Sequence, residues 1–128
     1  MKRIEVTTKS RDQMIDVSNA VQNAVSQLGV TFGNVTVFTP HTTCAITINE
    51  NVDPGVRKDF LSHLDRAVLW SSAAYQHRGG NAAAHIKSSL VGTSVSIIVD
   101  AGQIKLGVWQ AIYLCEFDGP RTREIWIG

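Results

Sequence analysis

Ten consecutive residues, Val108 to Phe117, carry large apolar side chains on both faces that a strand's two-residue period would define. That is the pattern expected of a strand covered on two sides. With 128 residues the chain is long enough for one domain, residues 1–128, and too short for two with sound cores. One domain of this size would have trouble covering both faces of such a strand by itself. Either the domain's own helices or a further copy of the chain would cover what remains, and the pattern alone does not choose between them.

The other segments set the class. Ile4-Glu5-Val6-Thr7 alternates as a strand. Ser10-x-x-Gln13 matches a capping box, and Met14, Val17, Val21, Ala24, Val25 and Leu28 then mark one face of a helix that stops at Gly29. Asn34 to Thr39 and Thr43 to Asn49 read as strands joined by a turn at Pro40-His41. Asp53-Pro54 opens a second helix through Val56, Phe60, Leu64 and Val68, since Asp suits the cap and Pro the first helical position. Trp70 to Gly80 has no period and reads as a loop. Asn81 is placed to cap a short helix, Ala82 to Leu90, closed by Gly92. Ser94 to Val99, a turn at Asp100 to Gln103, Ile104 to Leu106, Val108 to Phe117 and Thr122 to Ile127 complete a β-rich C-terminal half, read as a meander. Helices interrupt strands without regular βα alternation. The expected class is α+β: one compact domain with mixed or antiparallel, sandwich-like sheets flanked by helices.

Three polar clusters stand out against this frame. In the first, a strand after Pro40 puts His41, Thr43, Ala45, Thr47 and Asn49 on one face, small and polar, with an imidazole at its entrance. Cys44, Ile46 and Ile48 take the other. The second runs Tyr75-Gln76-His77-Arg78-Gly79-Gly80-Asn81, then His85 and Lys87. Bare amides before a helix start suit an anion such as phosphate. The third places Gln110, Glu116 and Asp118 on one strand face with Arg121 just beyond. Carboxylates there suit acid–base chemistry, Mg²⁺ or an ion pair. His41, His77 and His85 are candidate ligands for one divalent ion, although no H-x-x-x-H or C-x-x-C spacing supports it.

A formal net charge of +1 gives no broad field toward nucleic acid or membrane, so neither is an expected partner. No stretch approaches the length of a membrane span, and Met1 to Glu5 leads straight into a strand with no signal-peptide core, so the cytoplasm is the expected compartment. Cys44 and Cys115 are too few for a disulfide framework. Only His41, three residues earlier around a turn, lies near Cys44 as a base, which makes it a poor nucleophile.

Pro40-His41-Thr42-Thr43-Cys44, Asn49-Glu50, Asn81 to Lys87, Leu106-Gly107-x-Trp109-Gln110 and Glu116-Phe117-Asp118-Gly119-Pro120-Arg121 together resemble the YjbQ-like family, also called secondary thiamine-phosphate synthases. The resemblance covers nearly the whole chain. It implies a homotrimer and a reaction that joins a pyrimidine pyrophosphate to a thiazole phosphate with release of pyrophosphate. It implies a site in which His41, Glu50, His77 and His85 act in catalysis; Mg²⁺ on Glu50 and Asp118 would assist a transferase, and zinc on the three histidines a hydrolase. Thr42, Thr43, Cys44, Asn49, Asn81, Trp109, Gln110 and Arg121 would contact a small phosphorylated ligand, helped by Arg78, Lys87 and Asp118. Relatives carry a further histidine or acid where this chain has Ala83, and an Asp-richer loop where it reads Arg78-Gly79-Gly80. Three functions therefore stand open: that transferase, a phosphate- or metabolite-binding protein without catalysis, and a metal-dependent hydrolase built on the three histidines.

Overall fold

The strand that constrains the fold is β7, Gln110–Glu116, and from Ala111 onward every residue of it is buried. A computed structural model describes all 128 residues and shows how both of its faces are covered. β7 is the centre of a three-stranded sheet, between β2 (Gln13–Asp16) and β4 (Cys44–Glu50). A second sheet has the order β1-β8-β3-β5-β6, from Lys2–Thr7, Thr122–Ile127, Gly33–Phe38, Ser94–Asp100 and Gln103–Ile104. Every pairing is antiparallel.

One face of β7 sends Ile112 and Leu114 into the core between the sheets, where they meet Cys44 and Ile46, Val35 and Val37, Ile97 and Val99, and Ile125 and Ile127. Helix α1, Ser18–Leu28, closes that core with Val21, Ala24 and Val25. The opposite face sends Ala111, Tyr113 and Cys115 against Ala45, Ala84 and Phe117, with Phe60, Leu61 and Leu64 packed around them. These come from α2, Pro54–Ala67, and α3, Ala82–Val91. The result is a single α+β domain of two antiparallel sheets and three helices. The chain's own helices cover the second face of β7, so its two-sided apolar pattern is no argument for a partner copy.

Several expected elements are corrected. Residues 13–16 are a strand, not the start of α1. Met14 packs on the helix side and Ile15 on the inter-sheet side, the alternation of a strand. The capping-box pattern misled because Gln13 does reach back, accepting from the Lys9 amide at 2.8 Å, but on extended backbone. α1 begins only after Asp16 accepts from the Ser18 amide at 2.9 Å. It ends at Gly29, φ 70°, where a residue without Cβ costs least. Asp53 caps α2 through the Gly55 amide at 2.8 Å, as its place before Pro54 suggested. Asn81 does not cap α3 with its side chain. The C-terminal strands are not a meander: β7 lies in one sheet, and β6 and β8 lie in the other.

Candidate functional site

The pairing of β4 with β7 decides which polar residues meet. Cys44 lies opposite Glu116, and Glu50 opposite Gln110. The His41–Thr43 loop therefore adjoins the turn after Glu116, while Asn49 and Glu50 adjoin Trp109 and Gln110 at the other end. Six residues of strand, about 20 Å, separate the two groups.

At the first end lies an open cavity of about 360 Å³ lined, apart from Pro40, by polar and charged residues. Its walls come from four places: Pro40 to Thr43, Asn81 and His85 at the start of α3, Asp118 and Arg121 of the turn, and Arg123 of β8. A neighbouring cavity of about 460 Å³ shares His85 and adds Tyr75, Gln76 and His77. The rings of His77 and His85 meet edge to face, 4.9 Å between centroids.

Beneath the polar cavity is a buried ion pair. Glu116 is fully buried and Arg123 is 4% exposed. Glu116 Oε1 accepts from the Thr8 hydroxyl and from Arg123 Nε, each at 2.8 Å. Its Oε2 accepts from Arg123 Nη2 and, at 3.1 Å, from the amides of both Phe117 and Asp118. Arg123 Nη2 also donates to Thr43 Oγ1 at 2.7 Å and to the Thr43 carbonyl at 3.2 Å. One carboxylate thus ties the loop before β4 to the turn after β7, which is what a site assembled from distant segments needs. Above it, Asp118 Oδ2 accepts from Asn81 Nδ2 at 2.8 Å and from Arg121 Nη2 at 2.9 Å.

His41 Nε2 accepts a hydrogen bond from the Glu124 amide at 2.9 Å. That nitrogen must be unprotonated, so the ring is neutral with its proton on Nδ1. Burial holds the His41 pKa below its ordinary value, and the positive charge of Arg123 lowers it further. A group whose folded pKa is depressed contributes stability above its unfolded value, ~6.5, and loses it as pH falls through the folded value. In a two-dimensional NMR titration His41 should therefore protonate below pH ~6.5 and lose its bond to Glu124 as it does. Titration at or above that value would show that the ring is not an acceptor.

Of the residues singled out in the sequence, His41, Thr42, Thr43, Asn81, His85, Asp118 and Arg121 line the polar cavity, and His77 lies in the adjoining one. Others lie elsewhere. The supposed polar face of β4 is covered at its start: Thr43 and Ala45 are buried, Ala45 in the helix-side cluster, while Asn49 is exposed. Cys44 is fully buried on the other face, beside the Thr39 hydroxyl at 3.2 Å, and burial raises its thiol pKa. Both cysteines are free thiols, and burial pushes Cys115 up to about 12. Lys87 is 1% exposed and engaged with Asp65 at 3.0 Å and Asp12 at 3.6 Å, so it does not face the ligand cavity. Arg78 is exposed and makes no hydrogen bond, and Ala83 is buried. Gln110 and Glu116 do share a face of β7, but Ile112 and Leu114 lie between them and that face points into the core.

Glu50 accepts from the Asp53 amide at 3.3 Å, Asn49 from the Glu50 amide at 2.8 Å, and Gln110 from the Gly107 amide at 2.7 Å. With the exposed Trp109 these residues form the far end of the domain and not the cavity wall. Glu50 and Asp118 cannot share one magnesium ion across that distance. No three His, Cys, Asp or Glu side chains cluster as metal ligands in this structure, and His41 Nε2 is already engaged. Sequence reasoning missed Arg123. It sits in an alternating strand, Thr122 to Ile127, at a position of the inward-facing phase, and a charge there signals a buried partner.

The comparisons with known proteins agree with this fold. The model of the family described as UPF0047 protein YjbQ-like matches residues 2–128. The UPF0047 protein YugU of Bacillus subtilis is 47% identical over 127 residues, 99% of this chain and 96% of its own. A UPF0047 protein of Methanocaldococcus jannaschii is 43% identical, over 98% of this chain and 90% of its own. A crystal structure of a yjbq/upf0047 family protein from Clostridium acetobutylicum superposes with TM-score 0.96 at 47% identity, covering 100% of this chain and 98% of that one. A conserved hypothetical protein of Thermus thermophilus superposes with TM-score 0.93 at 37% identity, over the same shares of the two chains. The chain belongs to the YjbQ-like, or UPF0047, family.

Proposed function

We propose that this protein binds a small phosphorylated ligand in the cavity between the His41–Thr43 loop, the start of α3 and the Asp118–Arg123 segment. One observation carries the reading: a predominantly polar cavity with two arginines in its wall, one of them almost wholly buried and held by Glu116. Guanidinium groups donate to phosphate oxygens in a fixed fork, and a neutral His41 adds a donor at Nδ1 without adding charge. The transfer chemistry implied by the family resemblance, joining a pyrimidine pyrophosphate to a thiazole phosphate, is the reaction to test here. Arg121 and Arg123 would stabilise the pyrophosphate as it leaves, and His85 is the side chain placed to handle a proton. Binding without catalysis is the second reading. It is favoured by the position of Glu50 at the far end, which leaves Asp118, already hydrogen-bonded twice, as the only carboxylate in the cavity wall.

Calorimetric titration with inorganic pyrophosphate should show one site per chain. Arg121→Ala should weaken it tenfold to a hundredfold, the worth of a charge-assisted hydrogen bond of about 1.5–3 kcal/mol. Unchanged affinity in that variant would remove the site from this cavity. Release of pyrophosphate from the two phosphorylated substrates then separates the transferase from the binding protein.

A further inference from the structure

Arg123 and Asp118 carry one step more, resting on the anion-binding reading above. Arg123 uses Nε and Nη2 on Glu116 and Thr43. Its remaining nitrogen, Nη1, has no partner in the protein. The buried side-chain polar atoms without a partner are Asp12 Oδ1, Asn81 Oδ1 and Ser88 Oγ alone, so Nη1 is open to solvent, and Arg123 lines the polar cavity. A guanidinium buried to this degree seldom keeps an unused donor. Glu116 cannot take it, since its two oxygens already accept from five donors. The free donor is thus fixed in place and available to an acceptor arriving from the cavity.

Asp118 occupies the other half of the same space. Its Oδ2 collects donors from two separate segments, Asn81 Nδ2 and Arg121 Nη2, as the oxygen of a bound anion would. Arg121 is folded back onto the same turn, with Nε donating to the Asp118 carbonyl at 2.7 Å. The local charges balance: Arg121 and Arg123 against Asp118 and Glu116, with His41 neutral. An incoming phosphate offers acceptors to donors that Asp118 already holds, and its charge repels that carboxylate.

We propose that Asp118 is a resident anion, holding the ligand's oxyanion position in the free protein and exchanged for a phosphate oxygen on binding, while Arg123 Nη1 is the fixed anchor. Asp118 then sets specificity as well as affinity. Weak anions fail to displace it, and a ligand must bring a doubly charged or multidentate oxyanion to win Arg121. Asp118→Asn keeps an acceptor for Asn81 and Arg121 and removes the competing charge. Two unit charges about 6 Å apart at an effective dielectric of about 40 repel by ~1.4 kcal/mol, or tenfold in affinity.

The test is calorimetric titration of inorganic pyrophosphate into the wild type and D118N at low ionic strength, with melting temperatures recorded to confirm folding. The expected result is binding about tenfold tighter in D118N. If the wild type binds pyrophosphate and D118N binds it equally or less tightly, the exchange is overturned and the anion site stands. If neither protein binds, the exchange and the anion site fall together. Should D118N not fold, Asp118→Ser serves in the same comparison, since its hydroxyl still accepts from Asn81.

Discussion

Replacing Glu116 by alanine should cost about 3–5 kcal/mol of folding stability, the range for removing one partner of a buried ion pair. The loss is not the attraction alone. Arg123 stays buried with its charge uncompensated, and the Thr8 hydroxyl and the amides of Phe117 and Asp118 lose their acceptor as well. The pair of Arg121 and Asp118 has less leverage, because Arg121 is half exposed and water takes over from it, and surface pairs are worth up to about 1 kcal/mol. Replacing both buried partners together, Glu116→Leu with Arg123→Met, should recover much of the loss, since no buried charge is then left unpaired. Denaturant unfolding of the wild type and the two variants measures this. A cost below about 1 kcal/mol for Glu116→Ala would mean that the network does not hold the turn. The double variant has a second use: it is expected to fold without Arg123 and to have lost pyrophosphate binding, which separates stability from the site.

The fold was largely legible because its strongest signals are local. The stop of α1 at Gly29, the cap and proline of α2 at Asp53-Pro54 and the two-sided apolar run of β7 each follow from a few neighbouring residues. What misled was a pattern with two readings. Ser10-x-x-Gln13 fits a cap, and only the packing of Met14 and Ile15 on opposite sides shows that the backbone is extended. Consecutive strands suggested a meander, but nothing local says that β8 crosses to the other sheet to lie between β1 and β3. The site was half legible for the same reason. Asn81, His85, Asp118 and Arg121 are polar residues at element ends, where function collects. Asn49, Glu50, Trp109 and Gln110 have the same character, yet the register that sets Glu50 opposite Gln110 puts them at the other end of the sheet. Lys87 looked like an anion ligand beside His85 but is drawn beneath α3 by Asp65, whose pKa its hydrogen bond holds down. Register and burial are long-range properties, and no window of sequence contains them.

Gly119→Ala should be the most damaging addition of a single methyl group, at about 3 kcal/mol, the upper part of the range for overpacking. Gly119 follows Asp118 and precedes Pro120 across a cis peptide bond, and its φ is not in the left-handed region, so conformational freedom is not why glycine stands there. Space is the reason. A Cβ at this position would overlap the Ser10 carbonyl oxygen and lie 2.8 Å from both Glu116 Cγ and Thr8 Oγ1. The nearest obstacle is backbone, pinned by the Gly119 amide donating to the Arg11 carbonyl at 3.0 Å, so it cannot swing aside. The other two belong to the network beneath the cavity. The methyl group would therefore push the Asp118–Arg121 turn outward and loosen Glu116 from Thr8 in one movement. Gly79→Ala is the control on the same side of the molecule. There the Cβ would meet His77 Nε2 at 2.6 Å, the far end of an exposed side chain that can rotate away, and Asn81 Oδ1 at 3.0 Å, a side-chain end that need give only a few tenths of an ångström, and the expected cost is below about 1 kcal/mol. Thermal unfolding of the two variants compares them directly. Equal melting temperatures would show that the contact with Ser10 gives way freely. A fall in Gly119→Ala alone, together with weaker pyrophosphate binding, would show that the turn carrying Asp118 and Arg121 is held by close packing against the first strand's trailing loop.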